Sequence, residues 1–231
     1  MKTRATLDKR KSDISAMFDG VAERYDLLNS VLSLGQAHRW RRATVAAVAP
    51  RPGEFILDLA AGTGTSSAPF KEQGALVFPT DLSMGMLQVG KQQQPELMFV
   101  NADALQLPYS DDVFDAVTIS YGLRNVENTA EALTELLRAT KPGGRILINE
   151  FSTPVSWFLR FLYENVALRA VPLLAKISSN PVAYGYLTES ILDWPDQPGL
   201  AALLERAGWE RIEWQNLTGG IVALHRALKR P

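Results

Sequence analysis

The 231-residue chain has no cysteine and only two histidines, His38 and His225, which stand far apart. The first absence excludes a disulfide scaffold, a thiolate zinc site and a cysteine nucleophile. The second leaves no histidine cluster for a metal, and none is expected. Charge of one sign is also lacking: 24 basic residues face 25 acidic ones, so no global field draws the chain to nucleic acid. No stretch approaches the ~18 uncharged apolar residues that a spanning helix needs. Met1-Lys2-Thr3-Arg4 leads into no apolar run, so no secretory leader is read there, and a cytoplasmic protein is expected. What is present, 46% hydrophobic and 21% charged residues, is the balance of a globular chain with a substantial core.

Hydrophobic periodicity divides the chain. Residues 1–12 are basic, and 13–50 read as a helical cap, with Met17, Phe18 and Val21, then Trp40, Val45 and Val48, at helical spacing. From 51 onward strands and helices alternate. Phe55-Ile56-Leu57 is a short apolar strand, Ala75–Phe78 a second that ends at Asp81, Leu97–Val100 a third, Phe114–Ile119 a fourth and Ile146-Leu147-Ile148 a fifth. Ser83 is placed to cap the helix after the second strand. Lys141-Pro142-Gly143-Gly144 is expected to terminate the helix marked by Ala130, Leu133, Leu136 and Leu137. Such alternation predicts an α/β fold, a mostly parallel sheet with helices on both faces. Trp209–Trp214 and Ile221–Leu228 are separated only by Gln215–Gly220, too short for a crossover, so they pair antiparallel. A seven-stranded Rossmann-like sheet finished by an antiparallel hairpin is the architecture of class I S-adenosylmethionine-dependent methyltransferases. Residues 152–187, with Trp157, Phe158, Phe161, Leu162 and Pro172-Leu173-Leu174, read as an apolar insertion over the carboxyl ends of the strands.

A parallel sheet binds ligands at those carboxyl ends, near the switch point. After the first strand, Ala60-Ala61-Gly62-Thr63-Gly64 lets backbone N–H groups approach a ligand. Asp81, about twenty positions on, suits a nicotinamide dinucleotide equally well, but Gly62-Thr63-Gly64-Thr65-Ser66-Ser67 lacks the third glycine that the dinucleotide fingerprint uses. With S-adenosylmethionine as cofactor, Gly62, Thr63 and Gly64 are expected to face its amino-acid portion. Asp81 is expected to accept from both ribose hydroxyls. Asp103 and Ala104 are expected to read the adenine, and Ser120 to lie beside the sulfonium. The plain alternative for Asp81 and Asp103 is a capping carboxylate.

The residues after the fourth strand, Ser120-Tyr121-Gly122-Leu123-Arg124-Asn125, are expected to face the methyl acceptor. They carry no Asn/Asp-Pro-Pro-aromatic tetrad for adenine, and cytosine C5 chemistry needs the missing cysteine. Nucleic acid is disfavoured on both counts. Several longer stretches carry a resemblance: Met17-Phe18-Asp19 with Tyr25-Asp26-Leu27-Leu28-Asn29, Leu32-Ser33-Leu34-Gly35 with Trp40-Arg41-Arg42, and Thr118 through Val126. Leu137-Arg138 with Lys141-Pro142-Gly143-Gly144, Tyr186 through Ile191, and Asn216-Leu217-Thr218-Gly219-Gly220-Ile221-Val222-Ala223-Leu224-His225 complete it. On these, the chain resembles the bacterial demethylmenaquinone methyltransferase / 2-methoxy-6-polyprenyl-1,4-benzoquinol methylase family. Thr63, Asp81, Asp103, Ala104 and Ser120 fall on that family's cofactor positions. Three departures are visible: Thr65 replaces a common acidic residue, Tyr121 a usual phenylalanine, and Pro79 a usual glycine, which predicts an irregular strand end before Asp81.

The resemblance implies C-methylation of a prenylated quinol, demethylmenaquinol foremost and a polyprenyl benzoquinol as the alternative. Ionising a phenol of pKa ~10 at pH 7 costs roughly 4 kcal/mol. A guanidinium in a water-poor pocket offsets part of that, which makes Arg124 the catalytic candidate, with Asn125 orienting it or the substrate. The plain alternative for Arg124 is a loop ion pair with Glu127. His38, Tyr25 and Tyr121 are the candidates for a general base. Burial of a prenyl tail at ~0.8 kcal/mol per CH₂ keeps the acceptor in lipid, so transient contact with a membrane surface is expected, through the insertion and the basic 1–12 segment. The rival classes are a nicotinamide-dependent oxidoreductase and a non-catalytic cofactor-binding module.

Overall fold

The computed structural model describes residues 6–20, 22, 33, 35–168 and 181–231. The expectations for Tyr25, for the 26–29 stretch and for Pro172-Leu173-Leu174 lie outside these residues. In chain order the elements begin with α1 (Lys11–Asp19), α2 (Gln36–Val48), β1 (Phe55–Leu59), α3 (Ala68–Glu72), β2 (Leu76–Asp81) and α4 (Met84–Gln93). There follow β3 (Val100–Asn101), β4 (Phe114–Ser120), α5 (Thr129–Ala139), β5 (Thr140–Phe151) and α6 (Trp157–Leu162). The chain closes with α7 (Pro181–Leu192), α8 (Gln197–Arg206), β6 (Glu210–Leu217) and β7 (Val222–Leu228). The seven strands form one sheet in the order β3-β2-β1-β4-β5-β7-β6. The strands from β3 to β5 run parallel, while β7 is antiparallel to both β5 and β6.

Alternation along the central strands builds two apolar layers. Leu57, Val117, Ile119, Ile146 and Ile148 point to one face, where Leu133 and Leu136 of α5, Leu204 of α8 and Trp209 meet them. Ile56, Ala116 and Leu147 point to the other, against Val48, Phe70 and Leu224. Burial on both faces explains why these strands read as short continuous apolar runs. From β1 the chain winds outward to β2 and β3, then returns to place β4 on the other side of β1. The crevice left at the β1/β4 switch point is where the sheet accepts a ligand.

The structure corrects the sequence reading at four places. The third strand is Val100–Asn101, not Leu97–Val100. Helix α5 ends at Thr140, whose extended backbone follows Ala139 and whose hydroxyl donates to the Leu136 carbonyl at 2.7 Å. The Lys141–Gly144 segment is therefore no terminator. It lies inside β5 as an outward bulge, where pairing with β4 jumps from Phe114↔Thr140 to Ala116↔Arg145. Third, the hairpin strands meet over Glu210–Leu217 and Val222–Leu228, around a single turn of 3₁₀ helix at Thr218–Gly220. Fourth, Pro79 sits in a regular strand, in unbroken register with Asp58. Leu76 N donates to Glu54 O and Ala61 N to Thr80 O, so residues 76, 78 and 80 face β1 and Pro79 faces the β3 side. There β3 begins pairing only at Thr80, and the donor that proline lacks has no ladder partner to lose.

Helix α1 docks on α4 through a shared cap. Ser83 caps α4, its hydroxyl accepting from Met86 N at 3.2 Å. Asp19, at the end of α1, accepts from Ser83 Oγ at 2.5 Å and from Gly85 N at 2.9 Å. A carboxylate from a distant helix thus satisfies an orphan N–H at the positive end of α4. A Cβ at Gly85 would lie 2.8 Å from Asp19 Oδ1, so the glycine permits the approach. Asp19→Ala is expected to cost about 1 kcal/mol, the usual worth of such a cap, and to speed proteolysis within residues 1–20. Chemical denaturation with limited trypsinolysis measures both, and unchanged cleavage would rule the latch out.

Candidate active site

The turn after β1 is held in shape by left-handed residues, Ala60 at φ 54°, Gly62 at φ 56° and Gly64 at φ 76°. Gly64 is required twice over, since a Cβ there would meet the Phe99 ring at 2.7 Å. Gly62 N donates to Asp81 Oδ2 at 2.8 Å, and Ser83 N donates to Asp81 Oδ1 at 2.8 Å. The carboxylate at the end of β2 is thereby locked against the turn at the end of β1. Burial pushes the Asp81 pKa up, and backbone donors from Ser83, Gly62 and Leu82 oppose that rise. Beneath the turn, Asp58 is fully buried and accepts from Ser66 Oγ at 3.0 Å and Ser67 Oγ at 2.5 Å. Burial dominates there too, raising its pKa to about 6.

The loop after β4 presses on the same turn. Tyr121 adopts φ 56°, and a Cβ on Gly122 would fall 2.3 Å from the Ala60 Cβ. Leu123–Asn125 then makes one turn of 3₁₀ helix. Arg124 is buried within it, and its partner is Glu150 at the end of β5, at 2.8 Å. The loop pair with Glu127 is not formed. The Arg124 guanidinium also donates to the Tyr121 carbonyl and lies 5.1 Å from the Phe151 ring centroid. Glu150 accepts in addition from Phe151 N at 2.9 Å.

One cavity opens at these strand ends, and Gly62, Asp81, Asp103, Ala104, Ser120 and Asn125 all line it. Thr63, Gly64 and Arg124 are not in its lining. Of the candidate bases, Tyr121 lines the cavity and receives a hydrogen bond from Asn149 Nδ2 at 3.3 Å. His38 is exposed on α2, away from the cavity lining. His225 is buried, its Nε2 3.0 Å from the Gln197 carbonyl. Asp103 accepts from Leu105 N at 3.0 Å and forms an ion pair with Lys11.

Sequence reasoning missed a whole wall. Lys9, Lys11, Ile14 and Phe18 bring the N-terminal segment onto the cavity. The spacing of Ile14 and Phe18, four apart beside a basic stretch, was the signal that this segment packs inward. Glu150 was missed as well, although it is a carboxylate at a strand end.

A sheet in this order, closed by an antiparallel hairpin and opening at the switch point, is the fold of the class I S-adenosylmethionine-dependent methyltransferases. The donor set fits that cofactor: Asp81 spends two acceptor positions on backbone N–H groups, which leaves lone pairs for a vicinal diol, and Leu82 and Met86 supply apolar wall. The chain belongs to the ubiE/COQ5 methyltransferase family, whose profile matches residues 5–229. It is 58% identical to a demethylmenaquinone methyltransferase of Streptomyces griseus over 98% of this chain and 99% of that one. A demethylmenaquinone methyltransferase of Mycobacterium marinum is 53% identical, covering 98% of each chain. Among solved structures, the cyclase SpnF superposes with a TM-score of 0.70 at 17% identity, over 95% of this chain and 96% of that one.

Asp58 gives this site a pH signature. A carboxyl whose folded pKa is about 6 binds its proton more tightly folded than unfolded. Its contribution is complete below the unfolded value and is lost as pH rises through about 6, at ~1.4 kcal/mol for each pH unit that separates the folded and unfolded values. Asp58→Asn keeps an acceptor for Ser66 and Ser67 without the charge. The melting temperature of Asp58→Asn relative to wild type is expected to climb between pH 4.5 and 7.5. A constant difference across that range would refute the assignment.

Proposed function

We propose that this chain transfers a methyl group from S-adenosylmethionine to a ring carbon of demethylmenaquinol. The observation that carries the reading is 51–58% identity to demethylmenaquinone methyltransferases across nearly the full chain. The cofactor supplies an electrophilic methyl group on a positively charged sulfur. Asp81 holds the ribose hydroxyls, and Gly62 offers the turn's backbone to the amino-acid portion, with Thr63 and Gly64 shaping that turn from outside the lining. Ala104 and Asp103 meet the adenine, although Lys11 now shares the Asp103 carboxylate. Ser120 stands beside the reacting centre. Asn125 meets the acceptor: its Oδ1 is buried without a hydrogen-bond partner among the described residues, so a quinol hydroxyl supplies the missing donor.

Arg124 serves by position. Glu150 balances its charge, and its hold on the Tyr121 carbonyl sets the turn that carries Asn125. Tight packing of carbon, methyl and sulfur then contributes through orientation. The test is turnover of demethylmenaquinol against a polyprenyl benzoquinol. The naphthoquinol is expected to be methylated, and Asp81→Asn to weaken S-adenosylhomocysteine binding about tenfold, the size of one charge-assisted hydrogen bond. A wild type inactive on both quinols, or full affinity in the variant measured by calorimetry, would overturn the respective part.

The tail of the acceptor calls for a lipid-facing surface. Among the described residues no helix is long and apolar enough to cross a membrane. Instead α6, just past the end of β5, exposes Phe158, Phe161 and Trp157, the last 81% accessible. We assign the membrane contact to this helix. The basic N-terminus contributes less than its composition suggests, because Lys9 and Lys11 both line the cavity. Trp157→Ser with Phe158→Ser is expected to abolish flotation with quinone-bearing anionic vesicles while leaving S-adenosylhomocysteine affinity intact. Flotation equal to wild type would reject α6.

A further inference from the structure

Three cationic side chains at or beside the cavity differ in how their charge is met. Arg124 is paired with Glu150, and Lys11 with Asp103. Lys9 has no carboxylate within ion-pair distance among the described residues. Its ammonium lies instead 6.0 Å from the Trp194 ring centroid. Yet Lys9 lines the same cavity as Ser120, Tyr121 and Asn125.

Its backbone is unusual as well. Lys9 sits at φ 52°, in a turn closed by its own N–H to the Thr6 carbonyl at 2.9 Å. A residue with a side chain rarely adopts that region, and such outliers gather where a side chain must be aimed. Here the bend carries a lysine to the cavity immediately before α1 begins.

Resting on the methyltransferase reading above, we propose that Lys9 is the cation that faces the quinol oxygen and holds it as a phenolate. The role assigned to Arg124 from sequence thus passes to an N-terminal residue that forms no ion pair among the described residues. The groups that set the field at Lys9 are consistent with this. Burial lowers its pKa most, Asp193 raises it, Arg124 lowers it and Glu150 raises it. The ammonium is half desolvated, so it has more to gain from an anionic oxygen than a lysine in water. The chemistry balances with Lys9 protonated throughout. The hydroxyl proton leaves to water, and the ring carbon's electron pair forms the new carbon–carbon bond as the methyl–sulfur pair stays on sulfur. The ring C–H proton then leaves to water, restoring aromaticity, and the oxygen is reprotonated on release, for a net loss of one proton.

The test uses the full chain, with 1-naphthol as a redox-inert phenol whose ionisation is read by absorbance in the presence of S-adenosylhomocysteine. Wild type is expected to lower the probe's midpoint by about one pH unit, a tenfold preference for the anion. Lys9→Met restores the midpoint of free naphthol, and Lys9→Arg keeps most of the shift. Turnover of demethylmenaquinol by Lys9→Met falls about a hundredfold at pH 7, the scale of one lost oxyanion partner, and recovers as pH rises toward the phenol's own range. Affinity for S-adenosylhomocysteine stays the same. Lys9→Gln is the second variant if Lys9→Met melts early. A wild type that leaves the naphthol midpoint at its free value, or a Lys9→Met protein with the wild-type midpoint and pH profile, overturns the proposal. Loss of quinol turnover in the wild type itself would instead strike the functional reading, and the naphthol midpoint would still judge Lys9.

Discussion

The buried pair of Arg124 and Glu150 is the interaction on which the acceptor end depends. Taking two charges out of water costs several kcal/mol per ion, and removing one partner leaves the other stranded. The pair persists because its remaining hydrogen-bonding capacity is largely used: Glu150 accepts from Phe151 N, and Arg124 donates to the Tyr121 carbonyl. These bonds tie the loop after β4 to the end of β5. They hold Tyr121 in its left-handed conformation and Gly122 against Ala60, so the cofactor turn and the acceptor loop share one rigid wall. Arg124 Nε is left buried with no partner among the described residues, which marks where the arrangement is not closed.

A neutralised pair that fixes geometry cannot also be the strongest source of field. Its two charges largely cancel at a distance, whereas a phenolate needs an unbalanced cation close by. That division of labour makes sense of the N-terminal segment. Helix α1 is latched at one end by Asp19 on α4 and at the other by Lys11 on Asp103, and between them it offers Ile14 and Phe18 as cavity wall. The chain's first described residues therefore complete a site whose floor is built from the strands.

Much of this was legible in sequence where local pattern and final environment agree. Phe55-Ile56-Leu57 and Phe114–Ile119 read as strands because both faces are buried, and Asp81 and Ser120 stand at the observed strand ends. Leu97 misled because it is apolar for packing: its N–H turns back to the Gln94 carbonyl at 3.1 Å, so it anchors the core and joins no ladder. Lys141-Pro142-Gly143-Gly144 spelled a stop, yet Lys229, just past β7, exchanges backbone hydrogen bonds with Gly143 and Gly144 and so absorbs it as a bulge. The partner of Arg124 was beyond reach for a different reason. Glu127 is three residues away and Glu150 is on another strand, and only the sheet brings the latter near. Lys9 and Lys11 read as part of a basic segment for membrane contact because nothing local shows that a segment folds back across the molecule.

The frame itself leaves the chemistry open. A cyclase shares it at 17% identity over nearly the whole chain, so the sheet order alone does not dictate what reacts. On the function proposed above, the second reactant meets the Tyr121–Asn125 turn, the end of β5 and the segment before α1. Some of the backbone strain sits at the cavity as well: Lys9, Ala60 and Tyr121 hold positive φ without being glycine and line it, while Ala49, Asp112, Arg211 and Thr218 do so elsewhere. Such conformations survive only when the surroundings over-determine them. The apolar core of the two layers supplies that stability, and the left-handed residues at its rim draw on part of it to aim groups at a ligand.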